Sequence, residues 1–354
     1  MLESVNARCR YGKMNPFILT KSRAEGDLMT RREPCGGGGQ TPQESIERGT
    51  HSFDQKPTVS VLICTYQRHE LLDQCLRSLV FETAEKPDEL VIVNGGDERA
   101  DEVARSFQAS CHFPIRIIKT INKNLAVSRN VGLTHCQCDI IAMTDDDAKV
   151  FPDWITQIKR AHCDHPEAGA IGGSVIAANQ EKFINRIANY TVFPTPPREG
   201  RVRTVPGVNA SYKKRALQEV GGYDESLFRG EDVDFNWRLR EKGYEVYHDP
   251  RIGVYHVHRT SWLGLIRQIF MYGRAYYLVR KKWRDMYSIF PHQLKSGRDF
   301  LKAGYFLFGM FIEPRAWIKY QSKATDMVLG YPMGVVLSIA WRIGMIVQCL
   351  KCQR

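Results

Sequence analysis

Residues 138–150 read CDIIAMTDDDAKV, and this stretch decides the fold that we expect and the position of its site. Residues 140–143 are a short apolar run, which is typical of a buried strand in a parallel sheet. Three consecutive carboxylates follow it, Asp145, Asp146 and Asp147. Because like charges this close repel, they indicate a counter-charge, and Mg²⁺ or Mn²⁺ holding a diphosphate would supply one. A solvated acidic loop is the alternative that this stretch alone leaves open.

The flanking sequence predicts a regular alternation of strands and helices. Apolar runs predict strands at residues 59–64, 89–93, 115–119 and 140–143. Helical patterns begin near residues 69, 98 and 124. This order implies right-handed crossovers and therefore a parallel α/β sheet. Later elements are expected as strands at 168–177 and 254–258, a helix closed by Gly221-Gly222, and a helix from residue 230.

Three of the predicted strands end in polar, Gly-rich or acidic turns, at residues 65–68, 94–97 and 145–147. Ligands of such sheets collect at the carboxyl ends of the strands, so we expect one site built from all three turns. The phosphate-binding patterns GxxxxGK[ST] and GxGxxG are absent. A nucleotide bound here would therefore be held by the strand-end turns and a metal.

A second acidic group, Glu231-Asp232, follows Gly230 at a predicted helix start, where the helix dipole favours negative charge. Plain N-terminal capping is the alternative. Transfer of a group from a diphosphate to a hydroxyl needs a Lewis acid at the departing phosphate and a base for the attacking hydroxyl. The sequence offers one carboxylate cluster for the metal and a separate pair for the base.

Basic residues are concentrated in the C-terminal quarter. Residues 261–354 hold 15 Lys/Arg and 4 Asp/Glu, so they carry the whole net charge of +11, beside many aromatic residues. This mixture favours an anionic membrane surface; a nucleic-acid patch is the rival, but no nucleic-acid motif accompanies it. Residues 327–350 are long and apolar enough to cross a bilayer. Arg342 inside them would cost at least ~2.5 kcal/mol in mid-membrane, which favours helices lying in the interface.

The ten cysteines are scattered: Cys349 and Cys352 form a CxxC and Cys136 and Cys138 a CxC, but no second pair has zinc-ligand spacing. The first residues contain no apolar signal segment. Reduced thiols in the cytosol are therefore expected. His162, Cys163 and His165 are an alternative metal candidate, but they lie on a predicted helix and its exit, which favours a structural role.

Taken together, six segments resemble glycosyltransferase family 2, an inverting family with the GT-A fold, over about residues 58–273. In chain order they are VSVLICTYQRHELLDQCLRSL (59–79), ELVIVNGGD (89–97), NLAVSRNVGL (124–133), MTDDD (143–147), VPGVNASYKKRALQEVGGYDE (205–225) and RGEDVDFNWRLREKGYEV (229–246). HVHRTSWLGLIRQIFMYGR (256–274) is similar to an extension that many members carry. The resemblance implies a mostly parallel, Rossmann-like α/β sheet flanked by helices.

The resemblance also implies roles for the matching positions. Asp147 would bind Mg²⁺ or Mn²⁺, with His258 as a further ligand and His256 as its alternative. Asp232 would be the catalytic base. The acceptor side of the site would be formed by Glu231, Asn209 and Gly207. The nucleotide sugar would meet Thr65, Tyr66, Arg68, Asn94, Arg129, Asp145 and Asp146.

Two positions depart from the family's pattern. The base-contacting turn presents Asn94 and Gly95 where the family usually has aspartates, and Cys64 replaces a usual proline. An Asn side chain both donates and accepts, so uracil, thymine and guanine all stay open. A sugar-nucleotide pyrophosphorylase would show a Gly-rich loop after its first strand, which CTYQR lacks. A catalytically silent binding or scaffold protein would have lost one of the carboxylate groups, and both are present.

We therefore expect three regions: a disordered tail at 1–56, a GT-A catalytic domain at 57–260, and a basic, membrane-associated helical region at 261–354. The expected partners are a nucleotide-diphosphate sugar, a glycan or lipid-linked acceptor, and a membrane surface at the cytoplasmic face, without nucleic acid.

Overall fold

The chain folds around one nine-stranded sheet that has helices packed on it, followed by three longer C-terminal helices. A computed structural model describes residues 56–194, 196, 198–283, 297–318 and 324–353. The predicted tail lies outside these residues except for Lys56. The strands are β1 (Val59–Thr65), β2 (Glu89–Asn94), β3 (Ile115–Lys119), β4 (Ile140–Asp145), β5 (Ala148–Val150), β6 (Ala168–Ala177), β7 (Gly200–Arg201), β8 (Asn209–Lys213) and β9 (Glu245–His256). The helices are α1 (His69–Arg77), α2 (Glu98–Gln108), α3 (Leu125–Leu133), α4 (Trp154–Asp164), α5 (Phe183–Thr191), α6 (Lys214–Val220), α7 (Glu231–Glu241), α8 (Trp262–Lys282), α9 (Gly297–Ile318) and α10 (Ala324–Gln353).

The N-terminal half of the sheet is the parallel part that the sequence predicts. Strands β3, β2, β1 and β4 lie side by side and pair in parallel. The side chains of β1, β2 and β4 are almost all buried, and this explains why these strands contain continuous apolar runs, whereas the edge strand β3 is only partly buried. The α/β GT-A-type fold is confirmed in this half.

The remaining strands make the sheet mixed, which differs from the mostly parallel sheet expected. Strand β8 runs antiparallel to both β4 and β6, and β9 pairs in parallel with β6 but antiparallel with β5 and β7. Of the eight strand pairs, four are parallel and four antiparallel. Alternation along the sequence reveals crossovers, but it does not reveal a strand inserted between two distant ones.

The C-terminal helices pack against the sheet domain and against each other. Helix α10 crosses α8 with backbone in contact with backbone, because a Cβ on Gly273 would lie 1.9 Å from the Trp341 carbonyl and one on Gly344 would lie 2.1 Å from the Phe270 carbonyl. An ion pair between Arg186 of α5 and Asp326 of α10 adds a polar tie at 2.7 Å. Helix α10 is thus a part of the folded body.

Arg342, the charge expected to oppose membrane insertion, has an acidic partner within the C-terminal helices. Arg342 and Glu313 are both buried, and their side chains meet at 2.9 and 3.1 Å between α10 and α9. Arg342 also donates to the Phe306 carbonyl, and Ser338 donates to Glu313. This network neutralises the arginine where it lies, so its presence in an apolar helix is compatible with burial.

We expect Glu313→Ala to destabilise the protein by about 3–5 kcal/mol, because it leaves the Arg342 charge buried and unpaired. The double variant Glu313→Leu/Arg342→Leu should recover most of that loss. Thermal unfolding of the full chain measures both, with Arg315→Ala, an exposed position on the same helix, as control. If Glu313→Ala is as stable as Arg315→Ala, the ion pair between Glu313 and Arg342 does not stabilise the protein.

Candidate active site

Three strand ends meet at one edge of the sheet, as the polar turns predict. Thr65 pairs with Asn94 across β1 and β2, and Cys64 pairs with Asp145 across β1 and β4. The Gly95 amide donates to the Thr65 carbonyl at 3.0 Å. The turns after β1, β2 and β4 therefore adjoin one another.

The acidic triplet is held by side chains of the first turn. Asp146 is buried and accepts from the Thr65 hydroxyl at 2.8 Å and from Arg68 at 3.0 Å. The same Arg68 nitrogen donates to Asp147 at 2.8 Å. Burial raises the pKa of Asp146 to about 6, although the charge of Arg68 opposes it. Arg68 alone does not balance the negative charge of the three acids, which agrees with the counter-charge that the sequence indicates.

Asp145, Asp147 and His256 form the metal-binding candidate of the described structure, with one ligand atom from each lying within 4.8 Å of the others. Asp147 Oδ1 lies 3.1 Å from His256 Nε2, and yet Asp147 Oδ1 and His256 Nδ1 are buried without hydrogen bonds. Burial would raise the pKa of Asp147, but His256 and Arg68 lower it, which keeps the carboxylate charged. Carboxylate and imidazole donors left without partners fit a divalent cation such as Mn²⁺.

The histidine beside the two aspartates is not the one that the sequence analysis placed first. His256, given as the alternative, belongs to the candidate group, whereas His258 does not. The two rings adjoin, with centroids 4.8 Å apart, and His258 Nε2 is buried without a partner. The strand predicted to run through residue 258 ends at His256, so His258 lies just beyond it.

The second acidic pair begins α7, directly after Gly230, whose φ of 78° lies in the left-handed region. Asp232 lines the cavity, and its carboxylate accepts from the Gly207 amide at 3.0 Å and the Val233 amide at 2.8 Å. Glu231 is buried, and burial raises its pKa to about 7 against the pull of Arg129. The two acids therefore have different surroundings, although both line the cavity: Asp232 accepts from backbone amides, whereas Glu231 is paired with Arg129.

Arg129 joins the two acidic groups. Its guanidinium is buried and donates to Glu231 at 2.7 Å and to Asp145 at 3.3 Å. A Cβ on Gly207 would lie 2.5 Å from the same guanidinium, so any larger residue there would require the guanidinium to shift. Arg129 was expected to contact ribose or phosphate, but in this structure it pairs with protein carboxylates. The triplet and the Glu-Asp pair consequently face one shared cleft.

Two expected site residues, Asn209 and Asn94, are not among the residues that line the cavity. Asn209 is fully buried, accepts from the Trp154 indole and donates to the Ser174 and Ile252 carbonyls, all at 2.9 Å. It ties β8 to α4, β6 and β9 and does not line the cavity. Asn94 is also buried; its side-chain amide donates to the Asp97 carbonyl and to the Asp101 carboxylate of α2, and its oxygen accepts from the Gly96 amide. Neither side chain has a free donor to offer a ligand.

The cleft opens into a cavity of about 1090 Å³, and part of its wall was not predicted. Thr65, Tyr66, Arg68 and both acidic groups line one side. Gln268, Tyr272 and Tyr276 of α8 line another, together with Trp341 of α10. The spacing of four residues between the α8 side chains places them on one helix face, and that was the available signal. Their setting in a basic, aromatic segment indicated only a membrane role.

Comparison with known proteins agrees with this arrangement. The family described as Glycosyl transferase family 2 matches residues 60–221, which include β1 to β8 and the acidic triplet. This region belongs to family 2. The family predicted from the motifs is therefore confirmed. The Glu-Asp pair, His256 and the three C-terminal helices lie beyond the matched residues.

Relatives of this family 2 region are named as glycosyltransferases. The glucosyl-dolichyl phosphate glucuronosyltransferase of Haloferax volcanii is 31% identical over 183 residues, which cover 49% of this chain and 58% of that protein. The poly-beta-1,6-N-acetyl-D-glucosamine synthase of Staphylococcus epidermidis is 24% identical over 202 residues, covering 54% and 48%. The chain thus spans about half the length of these curated relatives.

A solved structure extends the likeness beyond the family 2 region. A mannosyltransferase from Pyrobaculum calidifontis, in complex with GDP-Man and Mn²⁺, aligns with a TM-score of 0.57 at 19% identity. The alignment covers 85% of this chain and 89% of that one. At this identity the likeness shows the fold, which includes much of the chain outside residues 60–221.

The geometry predicts which histidine holds the metal. We expect His256→Ala to abolish Mn²⁺ binding in the presence of UDP or GDP, whereas His258→Ala should weaken it less than about tenfold. Titration of free Mn²⁺, followed by its electron paramagnetic resonance signal, measures both variants. If His258→Ala loses more Mn²⁺ affinity than His256→Ala, then His258 and not His256 is the metal ligand.

Proposed function

We propose that this protein is an inverting, metal-dependent glycosyltransferase that moves a sugar from a nucleotide diphosphate to a hydroxyl acceptor. The observation that supports this most is the Arg129 bridge, because it brings the acidic triplet and the Glu-Asp pair to one cavity. A catalytically silent protein with the same fold would have no need of two separate carboxylate groups facing one cleft.

The donor belongs on the side of the triplet. Asp145, Asp147 and His256 would hold the metal, and Mn²⁺ suits the set better than Mg²⁺, which prefers oxygen ligands. When bound, the metal neutralises charge on the departing diphosphate as a Lewis acid. Arg68 and Thr65 hold the Asp146 carboxylate in place, and Tyr66 lines the same cavity.

The acceptor belongs on the side of α7, where Asp232 acts as general base. As the acceptor oxygen bonds to the anomeric carbon, the bond from that carbon to the diphosphate breaks and the hydroxyl proton passes to the Asp232 carboxylate. Two backbone amides fix that carboxylate. Glu231 positions Arg129, which in turn orients Asp145. Attack from the face opposite the diphosphate inverts the anomeric configuration.

We expect Asp232→Asn to reduce turnover by about 10²–10⁴-fold while Mn²⁺-dependent nucleotide binding changes little, because the amide cannot take the proton. Release of nucleoside diphosphate from a panel of nucleotide sugars measures turnover, and calorimetry measures binding. Glu241→Gln, an exposed acid at the far end of the same helix, is the control. Normal turnover in Asp232→Asn would disprove the base, and absence of turnover in the wild type with every donor would favour a silent relative.

The acceptor is a lipid-linked glycan or a growing polysaccharide, used at the cytoplasmic face of a membrane. Support comes from α9 and α10, whose outer faces expose large apolar side chains, including Phe308 at 65% and Val328 at 72%. Within the described residues, Asp326–Gln353 is long and apolar enough to span a membrane. Basic residues of the same region suit anionic lipid headgroups.

We expect Phe308→Glu/Val328→Glu to lower binding to phosphatidylglycerol vesicles at least about tenfold, because both charges would enter the apolar interface. Co-sedimentation with anionic and neutral vesicles measures this. Ile121→Glu, which changes an 87% exposed residue on the sheet domain, is the matched control. Equal binding of the double variant and the control would rule out this face as the contact.

A further inference from the structure

Among the residues that the structure describes, Arg229 is one of three cavity cations that form no ion pair with an acid. Arg68 and Arg129 line the cavity too, but both are paired with carboxylates. The Arg229 guanidinium lies over the Tyr272 ring, 5.4 Å from its centroid. Its side chain makes no hydrogen bond or ion pair with another residue that the structure describes. A guanidinium that contacts an aromatic face keeps its in-plane N–H groups for another ligand.

The position of Arg229 places this charge on the acceptor side. It immediately precedes Gly230 and the Glu-Asp pair, and its ring partner belongs to α8. Two other cavity cations without ion pairs to described residues are Lys123 and Arg259. These follow β3 and β9, on the side of the predicted nucleotide and metal. Lys123, Arg259 and the metal would bind a diphosphate donor, which leaves Arg229 for a different anion.

The wall next to Arg229 is apolar and aromatic. Tyr276 of α8 and Trp341 of α10 approach with ring centroids 4.9 Å apart, and the buried Leu337 lies one turn away. On the outer side of α10, Ile339 and Ile343 are exposed. A single helix therefore separates the cavity from the apolar surface proposed to meet the membrane.

We propose that Arg229 binds the phosphate of an amphiphilic acceptor, whose apolar chain lies along Tyr276, Leu337 and Trp341. A charge and an adjoining apolar wall match a phosphate joined to a hydrocarbon chain, and neither a neutral glycan nor free phosphate uses both. Arginine suits the task because its fork of N–H donors fits phosphate oxygens. The inference rests on the proposed function, since it positions the acceptor hydroxyl for Asp232.

Binding of geranyl phosphate, geraniol and inorganic phosphate to the full-length protein in nanodiscs tests the proposal by calorimetry. We expect geranyl phosphate to bind more tightly than either of the others, and Arg229→Gln to weaken it about tenfold or more. Arg229→Lys should bind with intermediate affinity, because it keeps the charge and loses the fork. Arg240→Gln is the matched control: this arginine lies 5.1 Å over the Trp237 ring but outside the cavity.

Unchanged geranyl phosphate affinity in Arg229→Gln, or in Arg229→Lys if the glutamine variant does not fold, would overturn the assignment. Geraniol or inorganic phosphate binding as tightly as geranyl phosphate would overturn the amphiphilic ligand. This measurement uses neither donor nor turnover. Failure of the glycosyltransferase proposal would instead appear as absent Mn²⁺-dependent nucleotide binding or normal turnover in Asp232→Asn, so the two failures are distinguishable.

Discussion

The double ion pair of Arg129 is the interaction on which the site depends. A buried guanidinium is costly unless carboxylates compensate it, and here Asp145 and Glu231 do so from opposite sides. Because these acids come from β4 and α7, the pairing fixes the distance between two halves of the cleft that are far apart in sequence. Gly207 belongs to the same constraint, since any larger residue would displace the guanidinium. The cleft geometry is therefore set by charge compensation as much as by apolar packing.

The same arrangement explains why so many acids persist in one cavity. Five carboxylates line it, and burial raises the pKa of Asp146 and Glu231 towards neutrality. An apolar lining would cost less free energy, so the acids indicate a cation that the cavity receives from outside. Thr65 and Arg68 compensate part of the charge, and the unpartnered atoms of Asp147 and His256 are where compensation is incomplete.

The sequence predicted what local patterns encode and missed what distant pairings decide. Strands β1 to β4 and the helix that begins at Glu231 follow from continuous apolar runs and a Gly-acid start. Asn94 and Asn209 were assigned to ligands from the family resemblance; in the structure their side chains bind protein groups, among them backbone carbonyls, the Asp101 carboxylate and the Trp154 indole, which no spacing rule reveals. The position of β8 in the sheet was not predicted for a related reason: its neighbours β4 and β6 are separated from it by long stretches of chain.

The C-terminal helices show how composition can indicate one role and conceal another. Their basic and aromatic character pointed to a membrane surface, yet α10 also presents Leu337 and Trp341 to the cavity and buries Arg342 on Glu313. A helix that is apolar all round is expected to be buried or in lipid, and α10 is divided between protein and an exposed face. If that face rests on a bilayer, the cavity wall and the membrane contact are two sides of one helix. An acceptor anchored in the bilayer would then reach Asp232 without leaving the membrane, whereas a soluble glycan would gain nothing from this placement.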